Sequence, residues 1–140
     1  MDDEGVQDAL LWLAFALGDL EAARSQPGRR VRPRIVANLA QQAAEKAIKA
    51  ALVMDGADPP RVHDLDDLRN RLGPRWRVKR RFPDLARLSR YASESRYPDD
   101  IEPVKPIESA TAVRQAAAII RTIREDIDRS GISTTKLEPQ

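Results

Sequence analysis

The fold is decided by residues 35–54, IVANLAQQAAEKAIKAALVM. The apolar positions lie three or four residues apart and are Ile35, Leu39, Ala43, Ala47, Ala50 or Ala51, and Met54. This spacing is that of one face of a helix. The opposite side is polar and carries Asn38, Gln41, Gln42, Glu45, Lys46 and Lys49. Gly56, Pro59 and Pro60 follow and end the segment, so the sequence predicts a long amphipathic helix.

Four more helices are predicted around this one from the same spacing and from helix-ending residues. In chain order they cover about residues 8–25, a short stretch from His63 or Asp64 to Leu72, residues 84–97 and residues 110–130. Residues 98–106 hold three prolines and predict an extended loop. We expect one helical domain over residues 1–131 and a disordered C-terminal tail over residues 132–140.

The composition favours an all-α protein. Alanine supplies 20 of the 140 residues and aromatic residues only six, which favours closely approaching helices over a sheet of branched and aromatic side chains. Short connections between the predicted helices indicate an up-and-down bundle of about five helices.

The composition also excludes several chemistries. Without cysteine the chain has no disulfide, thiolate zinc site or thiol nucleophile, and its single histidine excludes a multi-histidine metal site. We therefore expect neither a metal nor another cofactor. The longest apolar run has nine residues, 9–17, which is too short for a bilayer, and the first residues are acidic. These features predict a cytoplasmic protein without a membrane contact.

Charge is clustered although the net charge is only +2. Residues 2–21 carry six acids and no base, whereas residues 69–81 carry seven cations and no acid. Five of these cations form a candidate basic surface interleaved with Trp76 and Phe82, namely Arg75, Arg77, Lys79, Arg80 and Arg81. Such a composition suits contacts with nucleic acid or an acidic partner. The alternative is a solvated connector, and the segment is predicted to be too charged for the core.

Several strings spread over about residues 9–128 resemble the HEPN domain, a small helical domain of prokaryotes and higher eukaryotes. The strings are residues 12–13, 19–20, 22–23, 41–50, 63–65, 88–92 and 96–99. The resemblance implies a HEPN-like helical bundle that pairs into homodimers. It also implies a small nucleotidyltransferase as partner, with which many members form toxin–antitoxin modules. Alanines on the exposed faces of the second and fifth predicted helices are candidates for contact with a second copy.

The resemblance does not extend to the ribonuclease motif of the family, an arginine followed four to six residues later by a histidine. No histidine follows Arg96, and the only histidine of the chain, His63, lies 33 positions upstream. Histidine is the usual proton-transfer group near neutral pH, so we expect a non-catalytic protein that binds a nucleotide, RNA or a partner protein. Two alternatives stay open: a ribonuclease with a degenerate site at Arg96 and Tyr97, and a purely structural homodimeric interaction module.

Candidate residues for binding a nucleotide or RNA are Lys46, Lys49, His63, Arg96 and Tyr97. Arginine can bind phosphate in a bidentate manner and tyrosine offers a stacking face, but this site requires all five to face one groove. The structural alternatives are simpler. Arg96 and Tyr97 can close a helix, and His63 with Asp64 can satisfy the first amides of the next one. Glu45 and Lys49 can form a surface ion pair that contributes only a few tenths of a kcal/mol.

Overall fold

A computed structural model describes residues 2–24, 31–92 and 103–140, and within them it contains six helices and no strand. The helices are α1 Asp3–Arg24, α2 Pro33–Met54, α3 Leu65–Asn70, α4 Val78–Arg81, α5 Ala86–Ser89 and α6 Pro106–Arg129. The prediction of an all-α fold is confirmed. Among the described residues, no helix combines the length and apolarity needed to cross a membrane.

The long helix α2 is the centre of the core because it packs along both α1 and α6. All of its seven alanines are buried: Ala37, Ala40, Ala43, Ala44, Ala47, Ala50 and Ala51. Alanine lets helix axes approach closely, so these positions hold the three long helices together. The expectation that alanines of this helix face a second copy is therefore wrong. On α6, Ala110 is exposed and remains a candidate for such a contact.

Several helix ends follow the predicted signals. Asp64 precedes α3, and its Oδ1 accepts hydrogen bonds from the amides of Asp66 and Asp67 at 2.9 and 3.2 Å. Gly56 after α2 and Gly131 after α6 have φ values of +83° and +97°, a region that glycine adopts without steric strain. Asp64 thus begins α3, and the two glycines end α2 and α6 close to the predicted positions.

The basic segment 75–81 differs from the prediction. Trp76 and Val78 are fully buried, and residues 78–81 form α4. The Trp76 indole Nε1 donates to both carboxylate oxygens of Asp55 at 3.0 Å. The segment therefore inserts two apolar side chains into the core while its cations stay outside. The fourth predicted helix is also shorter in its described part, because α5 has only four residues, and residues 93–97 lie outside the described part.

Residues 132–140, predicted to be a disordered tail, pack on the helices. Thr134 is buried, and its backbone N and Oγ1 donate to Asp128 Oδ1 at 2.7 and 2.8 Å. The amide of Gln140 donates to the carbonyl of Ala14 in α1 at 3.0 Å, directly over Gly18, where a Cβ atom would lie 1.7 Å from the Gln140 oxygen. Hydrogen bonds of this kind leave no periodic signal in a sequence, which explains the incorrect expectation.

Candidate functional site

An open groove of about 750 Å³ lies between α1, the end of α2 and the loop that follows α2. Its lining residues are Asp8, Leu11, Trp12, Phe15, Lys49, Val53, Gly56, Ala57, Asp58, Pro59, Pro60 and Arg61. Leu11 and Phe15 lie one turn apart on α1 and are 51% and 43% exposed. Apolar side chains of this size rarely stay in water without a reason when they line a concave surface. The groove is therefore a candidate binding site.

A buried polar cluster adjoins this groove and is centred on Glu45 of α2. Its carboxylate accepts hydrogen bonds from Gln41 Nε2 at 3.1 Å and Lys49 Nζ at 3.0 Å, each one turn away on the same helix. His63 Nδ1, from the loop before α3, lies 2.8 Å from the same carboxylate. Gln41 Nε2 also donates to the carbonyl of His63 at 3.1 Å. The cluster thus attaches the loop to α2.

Glu45 is ionised at neutral pH. Burial raises the pKa of its carboxyl, but hydrogen bonds from Gln41, His63 and Lys49 and the charge of Lys49 outweigh burial, so that the pKa lies below its ordinary value of 4.5. A carboxylate can only accept hydrogen bonds, so we assign a proton to Nδ1 of His63. The histidine is then the donor in its hydrogen bond with Glu45. The arrangement orients His63 and compensates the charge of Lys49.

The two lysines predicted to bind phosphate already have intramolecular partners. Lys46 Nζ lies 2.6 Å from Asp19 and 6.0 Å from the centre of the Phe15 ring. Lys49 Nζ pairs with Glu45 and lies 5.8 Å from the centre of the Trp12 ring. Each lysine thus has one carboxylate and one aromatic face, an arrangement that stabilises a cation without any ligand.

The polar side of α2 is therefore not a solvated surface. Glu45 and Lys49 side chains are only 5% and 7% exposed, so the interpretation of this pair as a surface ion pair is wrong. Gln41 is fully buried. The reason is that α1 and the loop after α2 cover this side of the helix, whereas the sequence pattern shows only its polarity.

The structure brings together part of the predicted site. Lys49 and His63 meet at Glu45, while Lys46 lies beside them on α2 and pairs with Asp19. Arg96 and Tyr97 lie outside the described residues. A common site of all five residues therefore stays a prediction.

Sequence reasoning missed the residues that form the groove and the centre of the cluster. The spacing of Gln41, Glu45 and Lys49 by four places them in one row on α2, a signal that was available. The contribution of Leu11 and Phe15 was not visible, because both lie inside a continuous apolar run whose exposed side cannot be identified from the sequence alone.

Three of the five residues of the predicted basic surface are engaged within the protein. Arg75 pairs with Asp55 at 3.1 Å and lies 4.3 Å above the Trp76 ring. Arg77 pairs with Asp126 at 2.7 Å and with Glu125 at 3.1 Å. Lys79 Nζ donates to the carbonyl of Leu72 at 2.7 Å. The remaining two, Arg80 and Arg81, are exposed and have no carboxylate partner among residues 2–24, 31–92 and 103–140, and Arg81 Nη1 donates to Thr122 Oγ1 at 3.4 Å.

The fold and the groove define a small all-α protein with an open, partly apolar groove beside α1. The family model for the HEPN domain matches residues 9–127, which include all six helices except short stretches at the two ends. The chain belongs to the HEPN family. Comparisons with curated proteins and with solved structures return no match.

Proposed function

We propose that this HEPN-family protein is non-catalytic and binds a segment of a partner protein in the groove beside α1. The observation that carries the proposal is the exposure of Leu11 and Phe15 in a groove whose lysine, Lys49, is already paired with Glu45. An apolar floor gains free energy when it is covered, whereas a phosphate group would have to compete with Glu45 for the lysine. Both considerations favour a peptide segment over a nucleotide here.

The charges around the groove support a partner segment with basic residues. Asp8 and Asp58 line the groove, and Asp2, Asp3 and Glu4 are exposed at the start of α1. Arg61 is the only lining cation besides Lys49. A segment with apolar side chains flanked by lysine or arginine would therefore be complementary in both shape and charge. The small nucleotidyltransferase that the HEPN resemblance implies is our candidate partner, within a toxin–antitoxin module.

The proposal that the protein is non-catalytic rests on two observations. The sequence lacks the arginine–histidine spacing of ribonucleolytic HEPN proteins, and Nδ1 of His63 lies 2.8 Å from the Glu45 carboxylate, which holds this ring nitrogen in an intramolecular contact. Incubation of the purified protein with total RNA tests this directly. We expect no cleavage, and cleavage that disappears in Arg96→Ala would overturn the proposal in favour of a degenerate ribonuclease site.

The partner proposal is tested by isothermal titration of the protein with the product of the neighbouring reading frame, which we expect to be a small nucleotidyltransferase. Phe15→Asp is expected to weaken binding at least tenfold, because it places a charge on the apolar floor. Ile107→Asp is the matched control, since Ile107 is 71% exposed at the start of α6, outside the groove. Equal losses in both variants, or an unchanged affinity of Phe15→Asp, would contradict the proposal.

A second copy of the chain is the other possible occupant of the groove, and the predicted homodimer makes this outcome important. Sedimentation at tens of micromolar distinguishes a 15.7 kDa monomer from a dimer. If wild type is a dimer and Phe15→Asp a monomer, the groove is the interface between copies and the partner proposal is wrong. A dimer that persists in Phe15→Asp uses another surface and leaves the groove available.

A further inference from the structure

The helices that line the groove beside α1 offer a ligand only their side chains. Residues of α1 from Asp8 to Phe15 line one wall, and Lys49 and Val53 of α2 line the groove next to them. All of these residues lie inside helices, where the backbone amide and carbonyl groups are paired with each other. A ligand in the groove therefore finds no backbone hydrogen-bonding groups on α1 or α2.

The loop after α2 lines the groove with residues 56–61, and it is poor in backbone donors. The amides of Gly56 and Ala57 donate to carbonyl groups in the last turn of α2 at 2.9 and 3.0 Å. Pro59 and Pro60 have no N–H group. Only two of the six loop residues therefore keep an amide without a backbone partner in the described part of the chain.

This shortage of backbone groups restricts the conformation of a bound segment. An extended segment needs a regular row of donors and acceptors, as on the edge of a sheet, and residues 2–24, 31–92 and 103–140 contain no strand. Each polar backbone group that is left unpaired at an apolar surface costs free energy. A segment in the groove must therefore pair its own backbone groups, which an α-helix does along its whole length.

The exposed apolar side chains of α1 form a ridge that suits a second helix. Leu11 and Phe15 are four residues apart, so they lie on the same side of α1 and about 6 Å apart along its axis. Helices pack by placing such ridges between the side chains of a neighbouring helix. A helix beside α1 would cover both residues with apolar side chains spaced by three, four and seven positions.

Two carboxylates lie on different sides of the groove, Asp8 on α1 and Asp58 on the loop. Both residues are exposed, and neither forms an ion pair with another residue of the described part of the chain. The positive charge of Lys49 is compensated by Glu45. A helix between α1 and the loop would face an acid on each side, so lysine or arginine on both borders of its apolar stripe would be complementary.

We propose that the segment bound in the groove is a basic amphipathic α-helix of a partner protein, with its apolar stripe on Leu11 and Phe15 and with cations on both borders of that stripe. The inference rests on the proposed function, because it specifies the conformation and the residue pattern of the segment that binds there. A proline-rich segment is the main alternative without internal hydrogen bonds. It presents mainly carbonyl groups, for which the loop has few backbone donors.

The test is the selection of displayed random peptides of about 16 residues on the full chain, with counter-selection on Phe15→Asp. The enriched peptides should have apolar residues at helical spacing, lysine or arginine beside them and no internal proline. Synthetic copies should gain helical circular dichroism when they bind. Proline at a central position outside the apolar stripe should weaken binding at least tenfold, whereas alanine at that position should change it less than about twofold.

The outcomes separate this inference from the proposed function. Peptides that require Phe15 but are rich in proline, or have apolar residues at every second position, would overturn the helix and leave the groove as a partner site. If no peptide remains after counter-selection, both proposals are wrong. Dissociation of a wild-type dimer by the peptides, measured by sedimentation, would overturn both in favour of a second copy of the chain.

The cations of the helix are tested separately with Asp8→Asn and Asp58→Asn. Each variant should bind a selected peptide about threefold more weakly, because one charge contact is lost. Glu21→Gln is the matched control, since Glu21 is exposed near the other end of α1 and the change in net charge is the same. It should bind like wild type. Equal losses in all three variants, or acidic residues beside the apolar stripe of the enriched peptides, would overturn the basic character of the helix.

Discussion

The lysines of α2 and the exposed arginines of α4, α5 and α6 have very different electrostatic settings. These six arginines are Arg80, Arg81, Arg87, Arg90, Arg114 and Arg121. Lys46 and Lys49 lie against Asp19 and Glu45, so their charge is compensated before any ligand arrives. The six arginines have no carboxylate partner within the described part of the chain. The comparison teaches that the number of cations in a sequence does not identify an anion-binding surface, because tertiary structure decides which of them a carboxylate already compensates.

The largest expected effect concerns Trp76, the buried anchor of the basic segment 75–81. Trp76→Ala should lower the free energy of unfolding by about 3–5 kcal/mol, because it empties a fully buried site next to α4. Chemical denaturation measures this effect. Trp76→Phe keeps most of the buried area and loses only the hydrogen bonds to Asp55, so a loss of about 1 kcal/mol is expected. Similar stabilities of Trp76→Ala and wild type would show that the segment is not anchored by Trp76.

The next effect compares the stability contributed by the ion pairs of Lys46 and Lys49. Glu45→Ala leaves Lys49 and His63 without their shared carboxylate in a buried position and should lower the free energy of unfolding by about 3 kcal/mol. Asp19→Ala removes the partner of the more exposed Lys46 and should cost about 1 kcal/mol or less. Denaturation of the two variants under identical conditions measures the difference. Equal losses would mean that burial does not distinguish the two ion pairs.

Salt should weaken partner binding in the groove only moderately. An increase from about 50 to 200 mM salt is expected to change the affinity by less than about threefold, because the apolar contacts with Leu11 and Phe15 are not screened and only the contacts with Asp8 and Asp58 weaken. Parallel titrations at both concentrations provide the measurement. A change of tenfold or more would show that the groove binds its partner mainly through charge.

The smallest effect concerns the pH dependence of stability. The folded pKa of Glu45 lies below its unfolded value of 4.5, so this carboxylate stabilises the fold fully above pH 4.5. The contribution is lost as the pH falls through the folded pKa. Glu45→Gln should therefore be less stable than wild type at pH 7 and approach it at pH 3 in urea denaturation. A constant difference between the two proteins over this range would show that Glu45 does not titrate with a lowered pKa.

Much of the fold was predictable because its signals are local. The apolar spacing within α2 and the cap at Asp64 need only a few neighbouring residues to act, and the structure contains both. The burial of Trp76 was not predictable from the surrounding cations, because it depends on Asp55, which lies 21 residues earlier. The packing of residues 132–140 likewise depends on contacts with other segments.

The candidate sites were predicted less completely than the fold. Lys49 and His63, both predicted to bind a nucleotide or RNA, contact Glu45, which the sequence had indicated only as part of a surface ion pair. A binding role of the predicted basic surface stays a prediction: Arg75, Arg80 and Arg81 are exposed, whereas Arg77 and Lys79 are partly buried. The spacing of cations along the segment did not indicate this difference, because it depends on how the segment packs on α3 and α6.

The amino-acid sequence by itself determined the helical class, the positions of the long helices and the absence of the family's ribonuclease motif. Each of these depends on residue types at short separations. Tertiary structure alone decided which polar side chains are buried, which cations are paired and which apolar residues stay exposed in the groove. These properties depend on the environment that distant segments create, since hydrogen bonds and ion pairs form between groups within a few ångströms regardless of their separation in the chain.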